Sequence, residues 1–433
     1  MAAGISIRRA LLPALLVLLP APVLAQSAFD DCAAQAASQY EPGYESIGRD
    51  MTAMDAGLAV EACERALGEN PDNVQVKGWL ARAYTWAGET AKAVPLYEAA
   101  AAGDNVVALA LFGDMLIVGD GIDADLARGT EMLQRAADLG FAPAQNSLGL
   151  SYDIGEGVTQ DHQQAARWYR AAAEQGLPRA QANLGLMYML GLGVDLDYVA
   201  AAAWLQRAAD KGDAKAQYNV GYIYEMGLQV PVDHYLAANY YRLAADQGDM
   251  FGQNGLGYLT EHGLGVDADP AAAAALYQQA GDQGLAVALY NLGTLYEAGK
   301  GVGKDEAKAF ELYTLAAGAE DMDAAVNLGL MYLEGRGTAA DPALALEWTQ
   351  RAADNGHAVG LNNLGHIYEH GIGVTADLAQ ARSYYQQAAD QGYALAADNL
   401  ARLDQASEPD PSTFPNGGYA PLTEPYPANK LDG

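Results

Sequence analysis

The chain has 433 residues, of which 51% are hydrophobic, so it is long and apolar enough to bury an extensive core. Its formal net charge of −31 excludes a nucleic-acid-binding surface, because such surfaces need clustered Lys and Arg. The same charge disfavours contact with anionic lipid and favours partners that carry basic residues.

Residues 1–25 have the pattern of a secretory signal peptide. Arg8 and Arg9 precede the apolar run ALLPALLVLLPAPV, and the run ends at a cleavage position after Ala25. The run has about 14 residues, which is short for a membrane span, and no later segment is long and apolar enough for one. We therefore expect a periplasmic or secreted mature chain without a membrane span; an uncleaved N-terminal anchor is the alternative.

Cys32 and Cys63 are the only cysteines of the chain. An even number of cysteines in an oxidising compartment predicts one disulfide. A metal site would need more ligands than two thiols, and no histidine lies near either cysteine in the sequence. We expect the disulfide to tie an N-terminal segment, residues 26–57, to the helices that follow it.

One unit then recurs every 36 residues, and its landmarks keep the same step. The first glycines of the eight units are Gly113, Gly149, Gly185, Gly221, Gly257, Gly293, Gly329 and Gly365. A tyrosine follows three residues later in six units, at Tyr152, Tyr188, Tyr224, Tyr296, Tyr332 and Tyr368. The second glycines are Gly119, Gly155, Gly191, Gly227, Gly263, Gly299, Gly335 and Gly371. The aspartates are Asp125, Asp161, Asp197, Asp233, Asp269, Asp305, Asp341 and Asp377.

The residue pattern of each unit predicts two helices joined by a turn. The first glycine permits close helix packing, and the tyrosine three residues later is expected to be buried. The second glycine ends the first helix because it tolerates the left-handed conformation. The aspartate is a favoured N-cap for the second helix. The glycine-rich stretch of each unit, such as NLGLMYMLGLGVDLD, is therefore interpreted as helix and turn rather than as a phosphate or calcium loop.

The motif AQANLGLMYMLGLGVDLDYVAAAAWLQRAADKG resembles the Sel-one-like repeat family, which is related to the tetratricopeptide repeats. The resemblance covers residues 106–392 as eight repeats. It implies an all-α, right-handed alpha-solenoid of stacked helix-turn-helix units. Gln229, Thr260 and Glu320 depart from the pattern, and we expect local distortion at these positions.

Two flanking segments extend the array. Residues 58–105 include DNVQVKGWLARAYTWAGETAKAVPLYEAAAAG, which resembles tetratricopeptide helices. Residues 393–406 resemble a lone first helix and are expected to cap the last pair. Residues 407–433 are rich in proline and lack periodicity, which predicts a disordered tail.

The sequence predicts a partner-binding groove on the side of the first helices that faces away from the second helices. The candidate groove consists of Tyr218, Asn219, Tyr222, Glu225, Asn254, Tyr258, Glu261, Tyr290, Asn291, Glu297, Asn363, His366 and Glu369. Such a tyrosine-rich acidic face suits an extended peptide or loop with Lys or Arg. The alternative is that the tyrosines are ordinary exposed repeat residues. The asparagines two residues before the glycines would bond either a bound peptide or the neighbouring repeat.

The segment HIYEH, residues 366–370, has the H-x-x-E-H form of a zinc-protease signature. Repeat register accounts for it without zinc, since Glu369 corresponds to Glu225, Glu261 and Glu297. We expect no catalytic constellation, no metal and no cofactor. The signal peptide predicts export, and the resemblance implies a non-enzymatic interaction scaffold, adaptor or regulator that binds a protein or peptide partner. The alternative is an exported hydrolase or peptidoglycan-associated binding protein of the same repeat family.

Overall fold

A computed structural model describes residues 27–405 of the chain, so the expected signal peptide and the expected C-terminal tail lie outside the described residues. Across this range the chain forms twenty-one α-helices and no strand, apart from one isolated bridge between Ser38 and Arg49. The all-α solenoid of stacked helical repeats that the sequence predicted is confirmed. The chain divides into two compact units, with the boundary between Gln160 and Asp161.

The N-terminal unit contains seven α-helices and a short 3-10 helix at Met51–Ala53 among its described residues. Its α-helices are α1 (Ala28–Ala36), α2 (Ala56–Glu69), α3 (Val74–Trp86), α4 (Thr90–Ala101), α5 (Val106–Val118), α6 (Leu126–Asp138) and α7 (Ala142–Ile154).

The second unit contains fourteen helices in its described part, 161–405. They are α8 (His162–Glu174), α9 (Pro178–Leu190), α10 (Tyr198–Ala209), α11 (Ala214–Met226), α12 (His234–Asp246), α13 (Met250–His262), α14 (Pro270–Asp282), α15 (Ala286–Ala298), α16 (Glu306–Gly318), α17 (Met322–Glu334), α18 (Pro342–Asp354), α19 (Ala358–His370), α20 (Leu378–Asp390) and α21 (Ala394–Gln405). The last of these lies where the capping helix was expected. No helix between residues 27 and 405 combines the length and apolarity that a membrane crossing needs.

The helix ends follow the repeated aspartates and glycines. The side chain of each of the eight aspartates accepts a backbone N–H at the start of its second helix, as Asp233 does from Leu236. The second glycine ends each first helix in the left-handed conformation, with φ of +64° at Gly227. The expected distortion is absent at Gln229 and Glu320, because both keep the positive φ that glycine has at those positions, 56° and 67°.

The core of the second unit is built from tyrosines that the sequence analysis did not single out. Side chains that are at most 1% exposed lie in the middle of five second helices, at Tyr169, Tyr241, Tyr277, Tyr313 and Tyr385. A first-helix glycine makes room for the ring of Tyr241, Tyr277, Tyr313 and Tyr385; a Cβ on Gly257, for example, would lie 2.8 Å from the Tyr277 ring. The six tyrosines that lie three residues after the first glycine are less buried than the sequence predicted. Those six side chains are only partly buried, because the second-helix residue occupies the centre of the interface.

In the N-terminal unit, a covalent bond and a buried arginine hold the first helix. A disulfide joins Cys32 of α1 to Cys63 of α2, with 4.6 Å between their Cα atoms. The guanidinium of Arg82 on α3 donates to the carbonyl oxygens of Ala36 and Ala37, at the C-terminal end of α1, at 2.7 and 3.0 Å. The segment before α2 is therefore anchored to both α2 and α3.

Candidate functional site

Most of the candidate groove residues are buried rather than solvent-facing. The side chains that are 9% exposed or less are Tyr218, Asn219, Glu225, Asn254, Glu261, Tyr290, Asn291, Asn363, His366 and Glu369. The three that remain partly exposed are Tyr222, Tyr258 and Glu297. For the ten buried residues the prediction of an open groove surface was therefore wrong.

The physical reason is that first helices of successive repeats also contact each other. Asn291 on α15 donates its side-chain amide to the side-chain oxygen of Asn254 on α13, at 3.1 Å. Asn219 instead donates to the carbonyl oxygen of Lys215 in its own helix, at 2.8 Å. The side opposite the buried residues of each first helix was predicted to face solvent, but contacts between successive first helices cover much of it. The asparagines make bonds inside the protein, to side chains as well as to backbone.

Four glutamates at the same repeat position form a carboxylate ladder, defined here as Glu225, Glu261, Glu297 and Glu369. Each lies four residues after the first glycine of its repeat. Each accepts a hydrogen bond from the hydroxyl of the buried second-helix tyrosine sixteen residues later. The donors are Tyr241 at 2.5 Å, Tyr277 at 3.1 Å, Tyr313 at 2.7 Å and Tyr385 at 2.8 Å. The ladder thus links the two helices of four repeats.

Three members of the carboxylate ladder are neutralised by a cation that follows later in the chain. Lys300 places its ammonium 2.8 Å from Glu261. Arg336 pairs with Glu297 through its guanidinium. Arg402 makes two hydrogen bonds to Glu369, at 2.5 and 2.6 Å. These cations were not predicted from the sequence, although Lys300 and Arg336 both lie 39 residues after their glutamate.

The pKa values of Glu225 and Glu369 are shifted in opposite directions. Burial raises the pKa of Glu225 to about 7, and the hydrogen bond from Tyr241 offsets only part of this effect. Burial also acts on Glu369, but the hydrogen bonds from Arg402 and Tyr385 outweigh it and lower the pKa of that carboxyl. Glu225 has no basic partner among residues 27–405, and the structure shows only its Tyr241 bond.

The glutamate of the H-x-x-E-H segment is bonded to other side chains of the protein. Glu369 is held by Arg402 and Tyr385, and the rings of His366 and His370 lie 4.3 Å apart. Burial and the neighbouring His370 lower the pKa of His366 to about 4. Within the described range, no group of three or more His, Cys, Asp or Glu side chains is arranged to hold a metal ion.

Comparisons with known proteins agree with this architecture. The Sel1 repeat matches residues 107–141, 142–177, 178–213, 214–249, 251–285, 286–321, 323–357 and 358–393. A tetratricopeptide repeat matches residues 51–110. No protein of curated function matches the chain.

Two solved structures are similar over most of the chain. One is a protective antigen present in uropathogenic Escherichia coli strains that displays an SLR fold; it is 27% identical, with a TM-score of 0.60 over 88% of each chain. The other is a Sel1 repeat protein from Oxalobacter formigenes. It is 31% identical, with a TM-score of 0.56 over 72% of this chain and 90% of that one.

These repeats indicate a protein–protein interaction scaffold, and a fold of this kind is typically non-catalytic. The eight matched repeats span more than half of the residues, and they coincide with the helix pairs described above. The chain belongs to the Sel1 repeat family.

Proposed function

We propose that the chain is an exported interaction scaffold that binds a protein or peptide partner with basic residues on the first-helix face of residues 161–405. The observation that carries this proposal is the surface around Tyr222 and Tyr258. These partly exposed side chains lie one repeat apart, on α11 and α13, each beside a member of the carboxylate ladder. Aromatic area next to acidic groups suits a basic segment, since tyrosine binds with little loss of conformational entropy.

Neighbouring aromatic rings enlarge this surface. Phe251 at the start of α13 is 37% exposed, and its ring centroid lies 5.4 Å from that of Tyr218. Tyr218 in turn stacks on the buried Tyr241 at 5.7 Å. An aromatic side chain that reaches the surface is therefore backed by a rigid stack. Such rigid anchors are typical of residues that dominate binding energy.

Partner capture from an envelope extract tests the proposal. The mature chain is used as bait, and captured proteins are quantified by mass spectrometry. Replacement of both Tyr222 and Tyr258 by Ser should remove the partner without loss of helicity. The matched control is Tyr235→Ser, since Tyr235 is 68% exposed on the second helix α12 and should be dispensable. Equal capture by all three proteins would refute binding at this face.

Export rests on the N-terminal sequence, and it has a separate test. The periplasmic or secreted protein should begin at Gln26, directly after the expected cleavage position. N-terminal sequencing of the protein purified from its native host checks this expectation. A chain that keeps Arg8 and Arg9 and stays in the cytosol would contradict it.

A further inference from the structure

Glu225 is the one member of the carboxylate ladder without a cation among the described residues. Its side chain is buried and accepts the Tyr241 hydroxyl at one oxygen, as the other three accept their tyrosines. The cation positions of Glu261 and Glu297 are Lys300 and Arg336. The corresponding position for Glu225 is Leu264, one repeat of 36 residues before Lys300.

The backbone around Leu264 is the same as around the two cations. The N–H of Leu264 donates to the carbonyl of Leu259 at 2.9 Å, and that of Lys300 donates to Leu295 at 3.0 Å. Arg336 makes the equivalent bond to Met331 at 3.0 Å. At this position the Glu225 site therefore differs from the Glu261 and Glu297 sites only in the side chain, which is leucine instead of lysine or arginine.

Two further repeats of the second unit carry residues of matched character at these two positions. Where the ladder position is apolar, as at Met189 and Leu333, the residue 39 positions later is also apolar, Leu228 and Ile372. Glu225 with Leu264 breaks this pairing. A buried carboxylate without a counter-charge costs stability, and such groups concentrate at functional sites.

The surroundings of Glu225 also suit a cation. The carboxyl accepts the Tyr241 hydroxyl, the ring of Tyr218 stacks on that of Tyr241 at 5.7 Å, and Tyr222 lies three residues before Glu225 on α11. An ammonium or guanidinium group is attracted both by a carboxylate and by the face of an aromatic ring. The pair of Lys300 and Glu261 shows how a surface cation reaches a buried carboxylate. Lys300 remains 45% exposed, whereas the carboxylate of Glu261 is 2% exposed.

We propose that Glu225 is a binding site for a lysine or arginine side chain of the partner protein, which takes the place that Lys300 takes at Glu261. This inference rests on the proposed function and specifies the chemistry of one contact within it. Tyr222 would flank the bound cation at the surface, and Tyr241 would hold the carboxylate from below.

Two variants test the proposed cation site, one by removing its negative charge and the other by supplying a cation from within the chain. Glu225→Gln removes the charge and keeps the shape. Leu264→Lys leaves Glu225 intact but should fill the site from within the chain, as Lys300 fills the next one. Both should weaken binding of the tripeptide acetyl-Gly-Lys-Gly-amide by roughly tenfold or more in ligand-detected NMR. Lys300→Leu should create a second site at Glu261 and raise the amount of tripeptide bound.

Controls separate this site from general attraction to an acidic protein. Acetyl-Gly-Gln-Gly-amide should not bind, and Glu347→Gln, which neutralises an exposed glutamate on α18, should bind the lysine tripeptide like wild type. Circular dichroism confirms that each variant is folded. Wild-type affinity in Glu225→Gln and Leu264→Lys, or no binding by the wild-type protein, would overturn the inference.

The native partner distinguishes this inference from the proposed function. If both hold, Glu225→Gln and Leu264→Lys reduce capture of the same protein that the Tyr222 and Tyr258 double variant loses. If capture depends on the tyrosines but not on Glu225 or Leu264, the cation site is wrong and the scaffold proposal stands. If capture depends on none of these residues, both are wrong.

Discussion

Glu225 should make the protein less stable as the pH rises through neutrality. Its pKa is about 7 in the folded chain, against an ordinary value of 4.5. Between these values the folded state holds a proton that the unfolded state has released, so the free energy of unfolding falls as pH increases. A difference of about 2.5 pKa units at about 1.36 kcal/mol each amounts to roughly 3 kcal/mol, fully lost above about pH 7.

Urea unfolding of wild type and Glu225→Gln, followed by circular dichroism from about pH 4.5 to pH 8, measures this effect. The free energy of unfolding of wild type minus that of the variant should fall across this range, because glutamine does not titrate. Tyr241, Tyr218 and Tyr222 stay protonated throughout, since the pKa of each is raised above 10.0.

Glu369→Gln is the matched control, with the same repeat position and the same type of tyrosine donor. The pKa of Glu369 is lowered, so its contribution to stability is present above 4.5 and is lost as the pH falls through the lower folded value. The difference between wild type and this variant should therefore stay level from about pH 4.5 to pH 8 and fall only at more acidic pH. Parallel pH profiles of wild type and Glu225→Gln would refute the assignment of a raised pKa to an uncompensated buried carboxyl.

Three further changes have expected outcomes in the same unfolding assay. Replacement of Cys32 and Cys63 by Ser should lower the free energy of unfolding by about 3–4 kcal/mol, since the disulfide spans 31 residues. Thiol titration of the native protein should find no reactive cysteine. Gly293→Ala should cost about 1–3 kcal/mol, because the new Cβ would lie 2.6 Å from the Tyr313 ring; Gly318→Ala, with no atom within 4 Å, should cost nothing. Tyr313→Phe should cost about 1–3 kcal/mol through loss of its hydrogen bond to the ladder carboxylate, and an unchanged midpoint would contradict that role.

Much of the fold was predictable because its determinants are local. An aspartate caps a helix through N–H groups two or three residues later, as Asp269 does, and a glycine such as Gly227 ends one through its own φ. Because the motif recurs every 36 residues, it can be interpreted as helix and turn, whereas a single copy could also be a phosphate or calcium loop. The same periodicity explained why Glu369 belongs with Glu225 rather than with a zinc site.

The site was predicted only in part. Sequence placed Glu225, Glu261, Glu297 and Glu369 on equivalent positions of the first helices, and it identified Tyr222 as surface-facing. It did not identify the tyrosines that bond to them. The second-helix position is Leu205 in one repeat and Thr349 in another, and this variation hid a ladder of buried tyrosines.

The sequence alone determined the helix boundaries, the turns and the repeat, because capping and turn formation depend on residues only a few positions apart. The tertiary structure decided which faces are buried, because each first helix packs against its own second helix and against the first helices of neighbouring repeats. It also decided which carboxylates are neutralised, since Lys300 reaches Glu261 only when the chain has folded back over 39 residues. The cation missing at Glu225 became visible only through that comparison.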